Sequence, residues 1–402
     1  MAAMGSGANS SDLQQMNRIL VLTLLRKFKS TTRAELARIT GLKRATITNI
    51  INEFIDCKIV KEIGITDGEK GRRSIQIGID PGERRVVAIR LARKYFTVGL
   101  FDILGNIFLK ESTPLNFRDG SEYAMKLIKK KVHEFCDGND NIFAIGVALP
   151  GPYLKTEDRI VQISEFPGWE NISIVKELQD EFRIPVYAEH DSNASALTEW
   201  WFGSSAPSVD SDSVLLNIIA GQGVGAGLVQ NGVIYHGRHG IAGELGHTSI
   251  DYKGRKCACG NRGCLDLYCS SIVLIQNIQE HLPDYPDSVL QSRDITLPNI
   301  KQAIQQGDEL AIHEIRSMSR FLGVGIANAI NVYDPDVVVI GDELADVGGE
   351  YLLQEVMSVL KQRILPTILE KVDVKLSTID NPMLSGAMCV AVDNVFKNIH
   401  LL

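Results

Sequence analysis

The stretch Gly243–Asp266, GELGHTSIDYKGRKCACGNRGCLD, decides how this chain is read. Within eighteen residues it holds His247, Cys257, Cys259 and Cys264, and its Cys-x-Cys-Gly-x-x-Gly-Cys core supplies the imidazole and three thiolates that suit zinc. Four such ligands close the coordination shell. A catalytic zinc keeps one position open for water, so the expected cofactor is a structural Zn2+ that braces a loop. Glu244 and Asp266 flank the ligands, and a pinned loop is a good support for polar groups that converge on a small molecule. Two other readings of the cysteines fit less well, namely small buried hydrophobes and a disulfide framework. The chain has seven cysteines, an odd number, and no apolar secretory segment at its start, which points to a reducing cytoplasm.

The 402 residues exceed one ordinary domain, and a hydrophobic content of 45% supports real cores. No run approaches the roughly 18 consecutive apolar residues of a membrane helix, so no membrane partner is expected. The net charge of -7 offers no general attraction to nucleic acid, but it is unevenly spread. Residues 1–80 hold thirteen basic against eight acidic side chains, and the remainder twenty-nine against forty-one. A basic head on an acidic body suggests a DNA-binding module joined to something else.

Residues 1–11 are small and polar and read as a flexible tail. Residues 12–80 read as a winged helix-turn-helix domain. A first helix ends near Phe28, and a second starts behind Thr31 and Thr32, with Glu35 completing a capping box, and stops at Gly41. The third has Ile47, Ile50, Ile51, Phe54 and Ile55 on one face and Arg44, Ala45, Thr48, Asn49 and Asn52 on the other. Such a polar face can exchange hydrogen bonds with base edges in a major groove. Two strand-like runs then flank a polar loop containing Gly71, Arg72 and Arg73. Arginine beside glycine can enter a narrow minor groove, although a solvated charged hairpin reads the same way.

From about Val86 to the end, buried strand-like runs (VVAIRLA, YFTVGLFDI, FAIGVALPG, VLLNIIAGQGVGAGLV and VVVIG) alternate with helical patterns, implying a body of two α/β lobes. The final segment has helical apolar spacing at Val390, Val392, Val395, Phe396 and Ile399, which fits packing on the core.

The motif Glu244, Gly246, His247, then Cys257, Cys259, Gly260, Gly263 and Cys264 resembles the ROK family, which groups bacterial sugar kinases with sugar-responsive repressors. Asp266 stands where the family usually has Glu. The likeness extends over nearly the whole chain through LPGPY (149–153), FPGW (166–169), EHDSNASAL (189–197) and AGQGVGAG (220–227), and the N-terminal module is similar to that of the xylose, N-acetylglucosamine and Mlc-type regulators. The resemblance implies an actin-like, hexokinase-like α/β body over 86–402 that binds a ligand and oligomerises. It also implies sugar contacts from Gly151, Asp191, Asn193, Glu244, His247 and Asp266. Asp191 occupies the family's base position; a helix N-cap is the alternative for a residue preceding an apolar-periodic run, and the two roles can coexist. Glu165 replaces a usual Asn, so the identity of the sugar does not carry over.

The family's first phosphate turn needs a carboxylate and a glycine, and here it reads Arg90–Lys94, RLARK, with a cation and Ala92 in their places. Asp342 and Glu343 follow Gly341 where glycines are usual, and two acids repel phosphate. The expected protein is therefore not an enzyme. It is a sugar-responsive transcriptional repressor that binds operator DNA, senses a sugar or sugar phosphate, and works as a homodimer or dimer of dimers. Two alternatives are an active sugar kinase carrying a DNA-binding domain and a regulator sequestered by a transporter protein.

Overall fold

The dense apolar positions after Ser10 form helix α1 (Ser10–Phe28), which buries Val21, Leu22 and Leu25. After a two-residue strand β1 (Thr31–Thr32) come α2 (Arg33–Thr40) and α3 (Arg44–Asp56), then the strands β2 (Val60–Asp67) and β3 (Arg73–Ile79). Cap chemistry starts α2 as expected, for Thr32 is extended and its hydroxyl accepts from the Glu35 amide at 3.2 Å. The reciprocal half of the capping box is not made, because the Glu35 carboxylate binds Arg38 instead. Strands β1, β3 and β2 pair antiparallel in that order. Leu36, Ile47, Ile51, Phe54, Ile59 and Ile77 close a core between the helices and this sheet.

The computed structural model describes residues 10–67, 73–82, 84–139, 141–161, 167–204 and 213–397. Beyond the first module run β4 (Arg85–Leu91), β5 (Tyr95–Phe101), β6 (Ile107–Pro114), α4 (Gly120–Cys136), β7 (Ile142–Leu149), β8 (Tyr153–Leu154), β9 (Arg159–Ile160) and α5 (Ile174–Phe182). They are followed by β10 (Val186–His190), α6 (Asp191–Phe202), β11 (Val214–Ala220), β12 (Val224–Gln230) and β13 (Val233–Ile234). The last part comprises α7 (Ser271–His281), α8 (Leu297–Gln305), α9 (Glu309–Tyr333), β14 (Val337–Gly341), α10 (Glu343–Arg363), α11 (Pro366–Leu369), β15 (Asp373–Leu376) and α12 (Pro382–Lys397).

These elements divide into two units. One comprises the chain to Val147, Ile174–Ala188 and the chain from Ala387; the other comprises Ala148–Ser173 and Glu189–Gly386. The first has a five-stranded sheet ordered β10-β7-β4-β5-β6, in which β4, β5 and β6 are antiparallel neighbours. Helix α4 buries Ala124, Met125, Ile128, Val132 and Phe135, the three-to-four spacing of one helical face. The closing residues of the chain belong to this core, since Val390, Val392, Val395 and Phe396 are buried and Gln15 of α1 donates to the Lys397 carbonyl. Ile399 lies outside the described residues.

The second unit has the sheet β13-β12-β11-β14-β15. VLLNIIAGQGVGAGLV, grouped among the strand-like runs, is a hairpin: β11 and β12 pair antiparallel, and the chain reverses where the Gly221 amide donates to the Gly223 carbonyl at 2.9 Å. The strand period of two sorts the neighbouring β14 between two layers. Val337 and Val339 pack with Ala196 of α6, while Val338 and Ile340 join the larger core formed with α7, α8, α9 and α10. Being covered on both faces, the strand is apolar throughout.

Candidate functional site

The metal-ligand set converges. A short turn (Leu245–His247) presents His247, and two isolated bridges, Ser249 with Cys264 and Lys256 with Arg262, bring the cysteine loop back to it. The four ligand atoms lie within 4.8 Å of one another. Cys257 Sγ is 3.9 Å from His247 Nδ1, and Cys259 Sγ is 3.7 Å from Cys264 Sγ. Zinc bonds of about 2.0–2.3 Å in a tetrahedron separate donor atoms by comparable distances, so this set could hold a metal ion. Cys257 and Cys264 are buried and Cys259 is exposed, which leaves the cluster near the surface.

A second cluster surrounds the start of α6. Asp191 is the first helical residue, and His190 precedes it as cap without a side-chain capping bond. The alternative reading of Asp191 as an N-cap is not met: the cap is His190, and the Asp191 carboxylate lies one position too far along to receive the free amides of the first turn. The His190 ring is held by Ser192 Oγ, 2.8 Å from Nδ1, and its Nε2 is 3.5 Å from Asp191 Oδ1. That ring also explains Gly151, since a β-carbon there would lie 2.0 Å from His190 Nε2. In this structure the close neighbour of Gly151 is a side chain of the protein. Asn193 is buried and donates through Nδ2 to Glu189 at 3.1 Å.

Glu189, whose role the sequence alone does not reveal, is the hub of this cluster. It is 2% exposed and takes Lys155 Nζ at 2.9 Å and His236 Nε2 at 2.7 Å. Burial pushes its carboxyl up, but the His236 hydrogen bond and the charges of Lys155 and His236 outweigh burial and hold it down to about 2. The available signal was an acid at the end of a buried strand, which implies a partner but does not name one.

Strand β12 lies between this cluster and the metal loop. At Gly227 a β-carbon would sit 2.2 Å from the Ser192 carbonyl oxygen, so only glycine lets α6 approach this closely. On the loop side the Ala226 amide donates to the Gly243 carbonyl at 2.9 Å, and the Val224 amide donates to Asp266 Oδ1 at 2.5 Å. One oxygen of Asp266 thus holds the loop against the strand. Glu244 caps the His247 turn and is half-buried. The expected sugar residues accordingly fall into two groups, Gly151, Asp191 and Asn193 at α6 and Glu244, His247 and Asp266 at the metal loop.

The β11–β12 turn meets a carboxylate. Asp342 has φ 73° and ψ -164°, a region proper to glycine, and one of its oxygens would be 2.1 Å from a β-carbon on Gly221. Glu343 beside it accepts from the Ser271 hydroxyl at 2.5 Å. In the other unit, Arg90–Lys94 ends β4 and turns into β5, closed by Ala92 N donating to Tyr95 O at 2.9 Å, and the Arg90 guanidinium stands 5.7 Å from the Tyr95 ring.

Helix α3 separates its residues as expected. Ile47, Ile50, Ile51 and Phe54 are buried and Ile55 is half-buried, while Arg44, Ala45, Asn49 and Asn52 are exposed. Thr48 is half-buried, and its hydroxyl bonds back to the Arg44 carbonyl at 2.9 Å. Asn52 Oδ1 lies 3.5 Å from Arg33 Nη2. Arg73 is exposed at the start of β3; Gly71, Arg72, Glu165 and Phe166 lie outside the described residues.

Comparison with known proteins agrees with this arrangement. Residues 86–393 match the ROK family model. The chain is 27% identical over 398 residues to a xylose repressor of Caldicellulosiruptor bescii, covering 97% of this chain and 98% of that one. It is 29% identical over 397 residues to the DNA-binding transcriptional dual regulator NagC of Escherichia coli, covering 97% and 96%. A solved ROK family transcriptional regulator, a homolog of the E. coli MLC protein, superposes with a TM-score of 0.81 at 25% identity, covering 97% of this chain and 98% of that one. The body has the actin-like sugar-kinase fold, with a helix-turn-helix module ahead of it. By its family match, its fold and its His-Cys loop, the chain belongs to the ROK family.

Proposed function

We propose that this protein is a sugar-responsive transcriptional repressor of the cytoplasm. The observation that carries the reading is α3: a helix anchored by Ile47, Ile51 and Phe54 turns Arg44, Ala45 and Asn49 to solvent, the arrangement needed to read an operator. Relatives named as a xylose repressor and as NagC, matched over nearly their full lengths, support it. No described helix is long and apolar enough to cross a membrane.

The body is read as a sensor of a sugar or sugar phosphate. Asp191, Asn193, Glu244 and His247 supply hydrogen-bonding groups for hydroxyls, and His247, Cys257, Cys259 and Cys264 hold a structural zinc that keeps their loop in place. Catalysis is not part of the reading. Arg90 and Ala92 stand where a phosphate turn needs a carboxylate and a glycine, and Asp342 presses a negative charge on the glycine turn. A homodimer would present two recognition helices to paired half-sites. The sugar controls DNA binding by favouring one conformation of the protein over another.

Operator fragments selected from genomic DNA test the proposal in fluorescence anisotropy with D-xylose, N-acetylglucosamine and their phosphates. One of these should change operator affinity at least tenfold, while a coupled assay with ATP shows no sugar phosphorylation. Cys259→Ser should lose bound zinc and the sugar response together. Phosphorylation of any of the sugars, or a normal response from the zinc-free variant, would count against the reading.

A further inference from the structure

Four donors converge on the buried carboxylate of Glu189, two on each oxygen. Oε1 accepts from the His190 amide and from Asn193 Nδ2, both at 3.1 Å. Those two donors bracket Asp191, so the carboxylate fixes the first turn of α6 on either side of the one acid there that keeps some solvent access, its side chain being 18% exposed. Oε2 accepts from Lys155, just after β8, and from His236, just after β13. Three segments far apart in sequence therefore meet on one side chain. Lys155 and His236 remain 40% and 30% exposed at their side chains, so they close on Glu189 from the solvent side.

The chemistry of these groups is complementary. An ionised carboxylate only accepts, so it turns the Asn193 amide nitrogen and the His236 Nε2–H toward itself. The ammonium of Lys155 has three protons and uses one on Glu189 Oε2, and its side chain keeps 40% of its exposure, leaving donors that face solvent. Donors and an acceptor held in fixed relation suit a neutral, hydroxyl-rich ligand, each hydroxyl of which both donates and accepts.

We propose that Glu189 is the positioning residue of the ligand site, and that Lys155 and His236, which it holds, are ligand-contacting residues alongside Asp191. The inference rests on the sugar-sensing reading for its ligand but not for its mechanics. Glu189→Gln keeps the shape and removes the charge. In the full-length protein, hydrogen exchange of residues 151–161 and 233–243 should rise together at least tenfold, with residues 247–264 unchanged. Titration with D-xylose and N-acetylglucosamine should show the sugar bound by the wild type weakened at least tenfold, with operator affinity within twofold.

Adding Lys155→Met to Glu189→Gln removes the unpaired cation and should restore thermal stability but not sugar affinity. Unchanged exchange in the two segments overturns the proposal. So does a uniform rise across the unit, or recovery of sugar affinity in the double variant. If the wild type binds neither sugar, the exchange result still decides the role of Glu189, and the sugar reading is what fails.

Discussion

Helix α3 turns Arg44, Ala45 and Asn49 to solvent from a backbone held by buried apolar residues on its other face, whereas the start of α6 turns its polar groups inward and bonds them to one another. In the first region the groups we propose to meet operator DNA and the groups that hold the fold are different residues on opposite sides of one helix. In the second the proposed ligand groups and the fold-holding groups are the same or adjacent residues, because Glu189 binds the His190 amide and Asn193 on either side of Asp191. A face of the first kind can change its partner without changing its fold. A cluster of the second kind cannot, since removing Glu189 leaves the buried Asn193 amide and the partly exposed Lys155 and His236 without their shared acceptor.

The sharpest test of this contrast lies within α3. Phe54 is fully buried, and Phe54→Ala should cost about 3–5 kcal/mol through lost contacts and the cavity left behind. Thermal denaturation should then show the N-terminal module melting early, with operator binding lost and hydrogen exchange at residues 186–202 unaltered. A wild-type melting profile would show that the core does not carry the helix.

On the opposite face, Arg44→Ala with Asn49→Ala should weaken specific operator binding by about 1–3 kcal/mol for each base contact removed, and leave the melting temperature unchanged. Anisotropy measured on operator and on random DNA separates the two effects. Equal loss on both would mean that these residues hold phosphates and do not read bases.

The smallest expected effect has the opposite sign. Asp342 occupies a conformation that only glycine adopts freely, so Asp342→Gly should raise stability, by up to about 1–3 kcal/mol, in chemical denaturation. The same variant clears a carboxylate from the Gly221 turn. If stability falls instead, the Asp342 carboxylate contributes more through its contacts than its backbone costs.

The two regions were also unequally legible. The α3 pattern could be read directly, because a helix period of 3.6 sorts residues into faces without knowledge of neighbours. The metal set was legible from spacing alone, since Cys257, Cys259 and Cys264 are close in sequence and His247 lies ten residues before the first of them. Glu189 was not, because Lys155 and His236 lie 34 and 47 residues away along the chain. The alternative N-cap reading of Asp191 missed by one residue, a shift that decides whether a carboxylate faces the free amides. The long glycine-rich run was legible as strand-forming sequence with glycines suited to a loop or turn, but the antiparallel return of β12 along β11 follows only from the pairing.

By itself the sequence determined the elements whose cause is local: the helices and their buried faces, the basic N-terminal module, the metal-ligand spacing and the family. Tertiary structure alone decided what Glu189 binds, why residue 151 is glycine, and that Asp342 lies against Gly221. Those contacts join segments tens to more than a hundred residues apart. No periodicity or propensity along the chain encodes such a meeting, which follows only when the sheets and helices pack and their buried polar groups must find partners.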